Sequence, residues 1–239
     1  MAGGLVGSAA LARHLQAQPT AEPPLPGQPK LHAVSQGPGF GNRIAITFDD
    51  GPNPGVTEIV LKELEARKLH ATFFMIGRNA EHFPSLAKEV ADAGHEIANH
   101  SYTHPALGLM SEEKVEYEIQ KAQDCIVQAT GKIPVWFRPP YGSFHPNQYH
   151  IPYSKNLGIA LWSIDPRDWS QPGTEAITSR VVGGTTPGSI ILLHDLHHQT
   201  ALALPAILDG LQEKDFNFSP MSGFLGLPYG NNHLVAKAT

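Results

Sequence analysis

Residues 43–52 read Arg-Ile-Ala-Ile-Thr-Phe-Asp-Asp-Gly-Pro, an apolar run that leads directly into two adjacent carboxylates and a turn. The β-branched and apolar half is typical of a buried strand, and Gly51-Pro52 favours a turn at its carboxyl end. Adjacent side chains cannot readily point the same way, so one carboxylate can bind a metal while the other stays free as a base. Asp49 and Asp50 are therefore candidate functional residues, although a plain turn is the simpler explanation of this segment taken alone.

Short apolar runs recur along the chain and alternate with segments of helical period. The strand candidates are residues 43–48, 71–76, 95–99, 135–137, 159–164 and 189–194, with a weaker one near Phe216. The helix candidates are residues 57–68, 86–93, 111–128 and 200–214, and Ser111 is placed to cap the third of them. Such βαβ units predict an α/β fold with a parallel sheet. About seven units are too few for a complete eight-stranded barrel of roughly 250 residues, so we expect a distorted, incomplete (β/α) barrel, with an open doubly wound sheet as the alternative.

Composition limits the classes of function. The 239 residues carry 17 Lys and Arg against 22 Asp and Glu, a net charge of −5, so no basic field exists to bind nucleic acid. The apolar runs are far shorter than the roughly 18–20 residues that span a bilayer, so no integral membrane segment is expected. A single cysteine, Cys125, excludes an internal disulfide and a thiolate metal cluster. The 13 histidines stand out, because imidazole is a common metal ligand and acid–base group.

The first 41 residues differ in composition from the rest. Prolines crowd residues 19–38, a density that favours an extended linker. Residues 2–12 are small and apolar, but the first basic residue, Arg13, follows them, whereas a signal peptide carries its positive charge before the apolar run. We therefore expect residues 1–41 to be a leader or proline-rich linker of little order, derived from a shortened export signal or an artificial leader. Residues 42–239 are expected to form the functional domain.

Chemically capable side chains also follow the later predicted strands, and (β/α) barrels place their active sites at these strand ends. His100 and His104 are four residues apart, so their imidazoles can converge on one ion. Arg138 enters a Pro-Pro pair and is suited to holding a carboxylate. His194 ends a fully apolar strand and would be costly to bury without a partner, for which Asp168 is the candidate. Taken alone, each signal also fits a surface residue or a turn.

Together these strand ends resemble the five motifs of the polysaccharide deacetylases, known as carbohydrate esterase family 4 or the NodB-homology domain. The resemblance covers about residues 43–218, and every motif position expected to be functional carries the expected residue. The motifs in this chain are Thr47-Phe48-Asp49-Asp50-Gly51, His100-Ser101-Tyr102-Thr103-His104, Arg138-Pro139-Pro140-Tyr141, Asp165-Pro166-Arg167-Asp168-Trp169 and Leu192-Leu193-His194.

The resemblance implies an enzyme with its active site at the carboxyl ends of the strands of a distorted (β/α) barrel. Members of the family remove N-acetyl groups from N-acetylglucosamine polymers, or O-acetyl groups from xylan, with one divalent metal ion. By this likeness Asp50, His100 and His104 would hold the ion, which would lower the pKa of a bound water and polarise the acetyl carbonyl. Zinc is the expected ion, and cobalt, nickel or manganese would also suit two histidines and one aspartate.

The resemblance also implies the remaining catalytic roles. Asp49 would be the general base, held in place by Arg138, and the backbone N–H of Tyr141 would help to stabilise the oxyanion. His194 would be the general acid at the departing amine, oriented by Asp168. The last two motif residues, Trp169 and Leu192, would shape the pocket for the acetyl methyl group.

The main interpretation is therefore a monomeric deacetylase of chitin oligomers or peptidoglycan that works outside the cell or in the cell envelope. An acetylxylan O-deacetylase or an enzyme acting on a cyclic amide remains open, because the loops that choose the substrate cannot be read from one sequence. A carbohydrate-binding relative that has lost turnover is the third interpretation. The complete set of motif residues argues against it, since loss of activity usually removes at least one of them.

The remaining polar residues have less defined expectations. Four histidines lie in loops near the predicted mouth, where they could contact sugar or simply face solvent: His145, His150, His197 and His198. Three more are expected to be packing or surface residues: His70, His82 and His95. Four glutamates are expected on a solvated helix face: Glu112, Glu113, Glu116 and Glu118. Cys125 is expected to be a small buried residue of the same helix.

Overall fold

The computed structural model describes residues 33–225, and these residues form eight strands and eight α-helices. The strands are Ala33–Val34 (β1), Arg43–Asp49 (β2), Thr72–Met75 (β3), Glu96–Asn99 (β4), Trp136–Phe137 (β5), Gly158–Ala160 (β6), Ile190–His194 (β7) and Asn217–Phe218 (β8). The helices are Thr57–Ala66 (α1), Gly77–His82 (α2), Pro84–Asp92 (α3), Glu112–Thr130 (α4), His150–Ser154 (α5), Thr174–Gly184 (α6), His198–Gln212 (α7) and Met221–Phe224 (α8).

The strands build one parallel sheet in the order β1-β6-β5-β4-β3-β2-β7, and β8 pairs with β2 beside this path. The two ends of the sheet are joined by isolated bridges, between Gln36 and Ser189 and between Ile164 and Ile191. The sheet therefore curls toward closure without a continuous ladder across the gap. This is the predicted incomplete (β/α) barrel, and the open doubly wound sheet is excluded as the fold.

Strand β2 shows why the barrel has two different buried faces. Ile44, Ile46 and Phe48 pack into the large cluster between the sheet and the helices. Ala45 belongs to the cluster inside the barrel, and the alternation of a strand places Thr47 and Asp49 on that inner face. Both faces are buried, as is usual for parallel sheets covered by helices. The carboxylate of Asp49 consequently lies inside the barrel, at the carboxyl end of β2.

The amino-terminal end of the barrel is closed by the last described segment. Met221 and Phe224 of α8 pack inside the barrel, and the Trp136 indole N–H donates to the Ser222 hydroxyl at 3.0 Å. The buried carboxylate of Glu96 accepts hydrogen bonds from the Thr72 hydroxyl at 2.8 Å and from the Ser222 hydroxyl. Burial raises the pKa of Glu96, and these bonds oppose that effect. This network attaches α8 to β3 and β4.

Residues that the composition assigned to a linker take part in this closure. β1 pairs in parallel with β6, and Gly37 donates its N–H to the carbonyl of Gly188 at 2.9 Å. Gly37 also lies against the ring of Phe224, with no room for a Cβ atom. The expectation that residues 33–41 have little order is therefore wrong, because non-local pairing outweighs the proline-rich composition. The rest of the predicted leader, residues 1–32, lies outside the described residues.

Several local predictions also need correction. Strand and helix positions agree to within a few residues, but β1, α2, α5, α6 and α8 have no counterpart among the predicted elements. Ser111 occupies the N-cap position of α4, yet its side chain makes no capping hydrogen bond within the described residues. In the part of the chain that the structure describes, no helix is both long and apolar enough to cross a bilayer.

We predict that Phe224→Ala lowers the free energy of unfolding by about 3–5 kcal/mol, because it empties a site inside the barrel that the ring fills completely. The thermal midpoint should fall by roughly 6–20 °C in a chain of this size. Phe40→Ala is the matched control, since that ring is 81% exposed and its loss should change stability by less than about 0.5 kcal/mol. Equal midpoints for the two variants would contradict the assignment of α8 as the closure of the barrel.

Candidate active site

The candidate residues converge because their strands are neighbours in the sheet. Asp49 of β2 lies in register with His194 of β7 on one side and with Phe74 of β3 on the other. His100 follows β4, whose last residue pairs with Phe137 of β5, and Arg138 comes next on that strand's continuation. Because parallel strands end at the same edge of the barrel, all of these side chains meet at its carboxyl end.

Asp50, His100 and His104 form one compact group of three ligand atoms, all within 4.8 Å of one another. The Asp50 Oδ1 atom lies 3.5 Å from His100 Nε2 and 3.2 Å from His104 Nε2. Ligand atoms placed tetrahedrally about 2.0–2.1 Å from a zinc ion are themselves about 3.3 Å apart. The two distances from Asp50 Oδ1 are therefore close to the edges of a zinc coordination tetrahedron.

Hydrogen bonds to the far ring nitrogens orient both histidines toward the centre of this group. His100 Nδ1 lies 2.7 Å from the carbonyl oxygen of Arg138, and His104 Nδ1 lies 3.2 Å from the hydroxyl of Tyr141. The Nε2 atoms are left to face Asp50, as in metal sites where an outer partner fixes the imidazole. Burial lowers the pKa of both histidines, which favours the neutral form that binds metal.

Asp50 completes the group with an unsatisfied carboxylate. Its Oδ1 atom is buried and has no hydrogen-bond partner within residues 33–225. Burial raises the pKa of the side chain, an effect that His100 opposes. A divalent cation would satisfy both needs, since it supplies positive charge and a ligand position at that oxygen. The donor set and the orphaned oxygen therefore fit a metal ion.

The backbone of Asp50 is held in an unusual conformation by residues that the sequence analysis did not single out. Its φ is 77°, and its carbonyl oxygen accepts hydrogen bonds from the side-chain amides of Asn79 at 2.8 Å and Asn53 at 3.1 Å. The Asn53 amide also reaches the carbonyl of Asp195 at 3.1 Å. These bonds fix the direction of the Asp50 side chain. Asn79 lies at the start of the unpredicted helix α2, so no sequence signal marked it.

Asp49 lies beside the metal-ligand group but has different partners. Its Oδ1 atom accepts a hydrogen bond from Arg138 at 2.7 Å, while its Oδ2 atom lies 3.5 Å from His100 Nε2. The fully buried guanidinium of Arg138 also donates to the Thr47 hydroxyl at 2.8 Å and to the Leu161 carbonyl at 3.0 Å, and it packs 4.0 Å over the ring of Phe74. Burial lowers the pKa of Arg138, and Asp49 opposes this effect.

His194 and Asp168 form the second polar pair at the mouth. The His194 Nδ1 atom lies 2.7 Å from Asp168 Oδ1, and Asp168 Oδ2 accepts bonds from the His194 backbone N–H at 2.8 Å and the Thr200 hydroxyl at 2.7 Å. Burial works to raise the pKa of Asp168, but these bonds outweigh it and the net shift is downward. Burial likewise disfavours the imidazolium of His194, yet Asp168 raises the pKa of His194 to about 9.

The three predicted pocket residues line the same end of the barrel. Tyr141 has a φ of 59° and stacks edge-on against His104, with ring centroids 4.7 Å apart. Trp169 is about half exposed, directly after Asp168 in the chain. Leu192 is buried on β7, two residues before His194 and therefore on the same face of the strand.

The structure shows the surroundings of the other residues noted in the sequence. The His150 Nδ1 atom lies 2.7 Å from the Asn147 carbonyl oxygen, to which it donates, and His145 and His197 occupy the positions before a short helical turn and before α7. Cys125 is buried on α4, as expected. Glu118 is not on a solvated face: its carboxylate is buried and bonds to the loop between His100 and His104. Its spacing from Val115 and Ala122 places it on the apolar stripe of α4. This spacing could have indicated burial, but a charged residue was expected on the solvated face.

Comparison with known proteins identifies relatives of this chain. The sequence profile of the family described as polysaccharide deacetylase matches residues 37–162. A peptidoglycan-N-acetylglucosamine deacetylase of Bacillus cereus is 38% identical over 186 residues, covering 76% of this chain and 68% of that protein. A chitooligosaccharide deacetylase of Azorhizobium caulinodans is 38% identical over 193 residues, covering 74% of this chain and 92% of that protein. The match to the Listeria monocytogenes deacetylase PgdA, 36% identical, spans only 39% of that longer protein.

Solved structures show the same fold. The crystal structure of a peptidoglycan N-acetylglucosamine deacetylase in complex with a substituted N-hydroxybenzamide superposes with a TM-score of 0.78 at 34% identity, over 82% of this chain and 94% of that chain. A family 4 carbohydrate esterase from Streptomyces lividans in complex with acetate superposes with a TM-score of 0.71 at 36% identity, over 74% and 91% of the two chains. The chain therefore belongs to the polysaccharide deacetylase family, carbohydrate esterase family 4, and is a hydrolase of that family.

Proposed function

We propose that this chain removes N-acetyl groups from N-acetylglucosamine-containing polysaccharide, either chitin oligomers or peptidoglycan. The observation that carries the proposal is the group of Asp50, His100 and His104 with Asp49 beside it. The Asp49 Oδ2 atom lies 3.5 Å from one of the three ligand atoms, His100 Nε2. A carboxylate so close to a metal site, yet not needed as a ligand, is placed to act as a base.

The metal ion would be held by Asp50 Oδ1 and by the Nε2 atoms of His100 and His104. Three protein ligands leave a tetrahedral ion with an open position, which is typical of catalytic and not of structural zinc. When bound, the ion supplies Lewis acidity toward the acetyl carbonyl and lowers the pKa of water. Zinc is the proposed ion, and cobalt, nickel and manganese suit the same ligands.

The surrounding residues would transfer the protons and stabilise the developing charge. Asp49 takes a proton from the attacking water on Oδ2, while Arg138 donates to Oδ1 and fixes the orientation of the carboxylate. The backbone N–H of Tyr141 donates to the oxyanion that forms from the acetyl oxygen. His194 then gives a proton to the sugar nitrogen as the C–N bond breaks, which releases acetate and the free amine. Asp168 supports the charged form of His194 before this step.

The proposed substrate follows from the relatives, and its finer identity is left to experiment. Relatives named for peptidoglycan and for chitooligosaccharide are each 38% identical to this chain, so identity alone does not separate the two substrates. Both are glycans of the cell envelope or the extracellular space, which is the proposed location. We expect the protein to be catalytically active. Solved relatives include a pseudoenzyme from Bacillus anthracis, with a TM-score of 0.78 and 28% identity. In this chain, however, the sequence contains every proposed catalytic residue and metal ligand.

The proposal predicts metal-dependent release of acetate. Chitin oligomers, peptidoglycan and acetylated xylan are incubated in parallel with the protein, with a chelator, and with the chelator followed by zinc. Acetate release from an N-acetylated glycan should disappear with the chelator and return with zinc, because the ion is needed for attack. Release from acetylxylan alone would replace the proposed substrate, and release that the chelator does not affect would contradict the metal-dependent mechanism.

The two adjacent aspartates should be separable. Asp50→Ala is expected to lose zinc and activity together, since it removes a ligand. Asp49→Asn should retain zinc but lower kcat by about 10²–10⁴-fold, because the amide cannot accept the proton. Zinc content by atomic absorption and acetate release are measured on the same samples. A near wild-type rate for Asp49→Asn would show that Asp49 is not the base.

The pH profile tests the pair of His194 and Asp168. A general acid works only while protonated, so activity should fall as the pH rises through the pKa of His194. That pKa is raised to about 9 in the chain itself, and a bound cation would move it lower. Asp168→Asn removes the supporting charge, so the alkaline limb of kcat/KM should move down by about one to two pH units.

Thr200→Val is the matched control for this shift. It removes one hydrogen bond to Asp168 but leaves the carboxylate, so its limb should move less than that of Asp168→Asn. An alkaline limb at the same pH in wild type and Asp168→Asn would exclude His194 as the acid that sets it.

A further inference from the structure

The loop that carries two of the ligands, residues 100–104, has a strained backbone. Ser101 has a φ of 63° and His104 a φ of 64°, values in the left-handed region that are strained for a residue with a side chain. Such conformations persist only where the surrounding structure holds them. Something outside the loop must therefore stabilise it.

The carboxylate of Glu118 on α4 makes three hydrogen bonds to this loop. Its Oε2 atom accepts from the backbone N–H groups of Tyr102 at 3.0 Å and Thr103 at 2.8 Å, and its Oε1 atom accepts from the Thr103 hydroxyl at 2.7 Å. The side chain is only 6% exposed, and no salt bridge involves it among the described residues. All of the hydrogen-bond partners observed for this carboxylate belong to the loop.

A second contact from the same helix fixes the start of the loop. The side-chain amide of Asn99 donates to the carbonyl of Ile119 at 3.0 Å, and its oxygen accepts from the Ser101 N–H at 2.9 Å. The Ser101 hydroxyl in turn accepts from the N–H of His104 at 3.1 Å. Residues 101–104 are therefore connected to α4 by hydrogen bonds, and Glu118 bonds to the two residues directly before His104.

The two histidines differ in how much they depend on this support. His100 directly follows strand β4, and its ring is held by the Arg138 carbonyl. His104 lies at the far end of the strained loop, and its ring contacts the exposed side chain of Tyr141. We propose that Glu118 is a positioning residue, which sets the affinity of the metal site by placing His104. This inference rests on the metal site of the proposed function.

The test compares the zinc affinity of Glu118→Ala, Glu118→Gln and wild type by competition with a chelator of known affinity. Loss of an outer partner of a metal ligand typically weakens binding by about 10–100-fold, and Glu118→Ala should fall in this range. Gln at this position keeps an oxygen for the two N–H groups, and its NH₂ can donate to the Thr103 hydroxyl. It should therefore bind zinc to within about threefold of wild type.

The control is Glu116→Ala on the exposed face of α4, where the carboxylate accepts a hydrogen bond from Lys155 at 3.0 Å. It should leave the zinc affinity unchanged. The visible absorption of cobalt-loaded protein gives a second readout, because displacement of His104 changes the ligands of the ion. Glu118→Ala should alter this spectrum, whereas Glu118→Gln and Glu116→Ala should reproduce that of wild type.

Thr103→Val is included in case Glu118→Ala fails to fold, since it removes one of the three bonds from the loop side and leaves α4 intact. It should weaken zinc binding severalfold with little effect on the unfolding midpoint of the metal-free protein. If Glu118→Ala folds, wild-type zinc affinity in both Glu118→Ala and Thr103→Val would overturn the inference. If Glu118→Ala does not fold, wild-type zinc affinity in Thr103→Val would overturn it. If wild type itself binds no zinc, the proposed function fails, so the two failures are distinguishable.

Discussion

The buried guanidinium of Arg138 is the interaction on which the site depends. A buried charge is costly unless it is paired and hydrogen-bonded, and Arg138 finds such partners on several strands. Its guanidinium bonds to Asp49 and Thr47 of β2 and to the carbonyl of Leu161 after β6, and its backbone carbonyl orients His100 after β4. Removing it would leave the Asp49 carboxylate buried without its cation and would release one of the ligand histidines. The same residue therefore holds the barrel interior together and separates the proposed base from the metal ligands.

This separation explains how two adjacent aspartates can have different roles. Asp49 has a guanidinium on one oxygen, whereas Asp50 has a buried oxygen with no hydrogen-bond partner among the described residues and a backbone turned to a φ of 77°. The first carboxylate already has a cationic partner that holds it in place, whereas the second can accept a metal cation. Across the site, Asp168 prepares His194 for the opposite task by favouring its protonated form. The register of β2 with β7 places the proposed base and acid on neighbouring strands, so a bound amide can be reached from both.

The parts of the fold that the sequence predicts are those with local signals. The alternation within β2 and the polar residues that follow each strand involve positions close together in the chain, so these patterns can be read from the sequence. The errors arise where distant contacts decide. Ala33–Val34 becomes a strand only because β6 offers a partner, and Glu118 is buried only because the loop of Tyr102 and Thr103 supplies three donors. Asn79 supports Asp50 from another element, which no spacing rule relates to it.

The proposed mechanism depends on a catalytic metal ion held by Asp50, His100 and His104 beside Asp49. Anomalous X-ray diffraction at the zinc absorption edge, on crystals of the zinc-loaded protein, tests for this ion. We expect one dominant anomalous peak about 2.0–2.2 Å from Asp50 Oδ1 and from the Nε2 atoms of both histidines. A peak bound by other residues, or no peak at this group in protein that hydrolyses acetylated glycan, would contradict this mechanism.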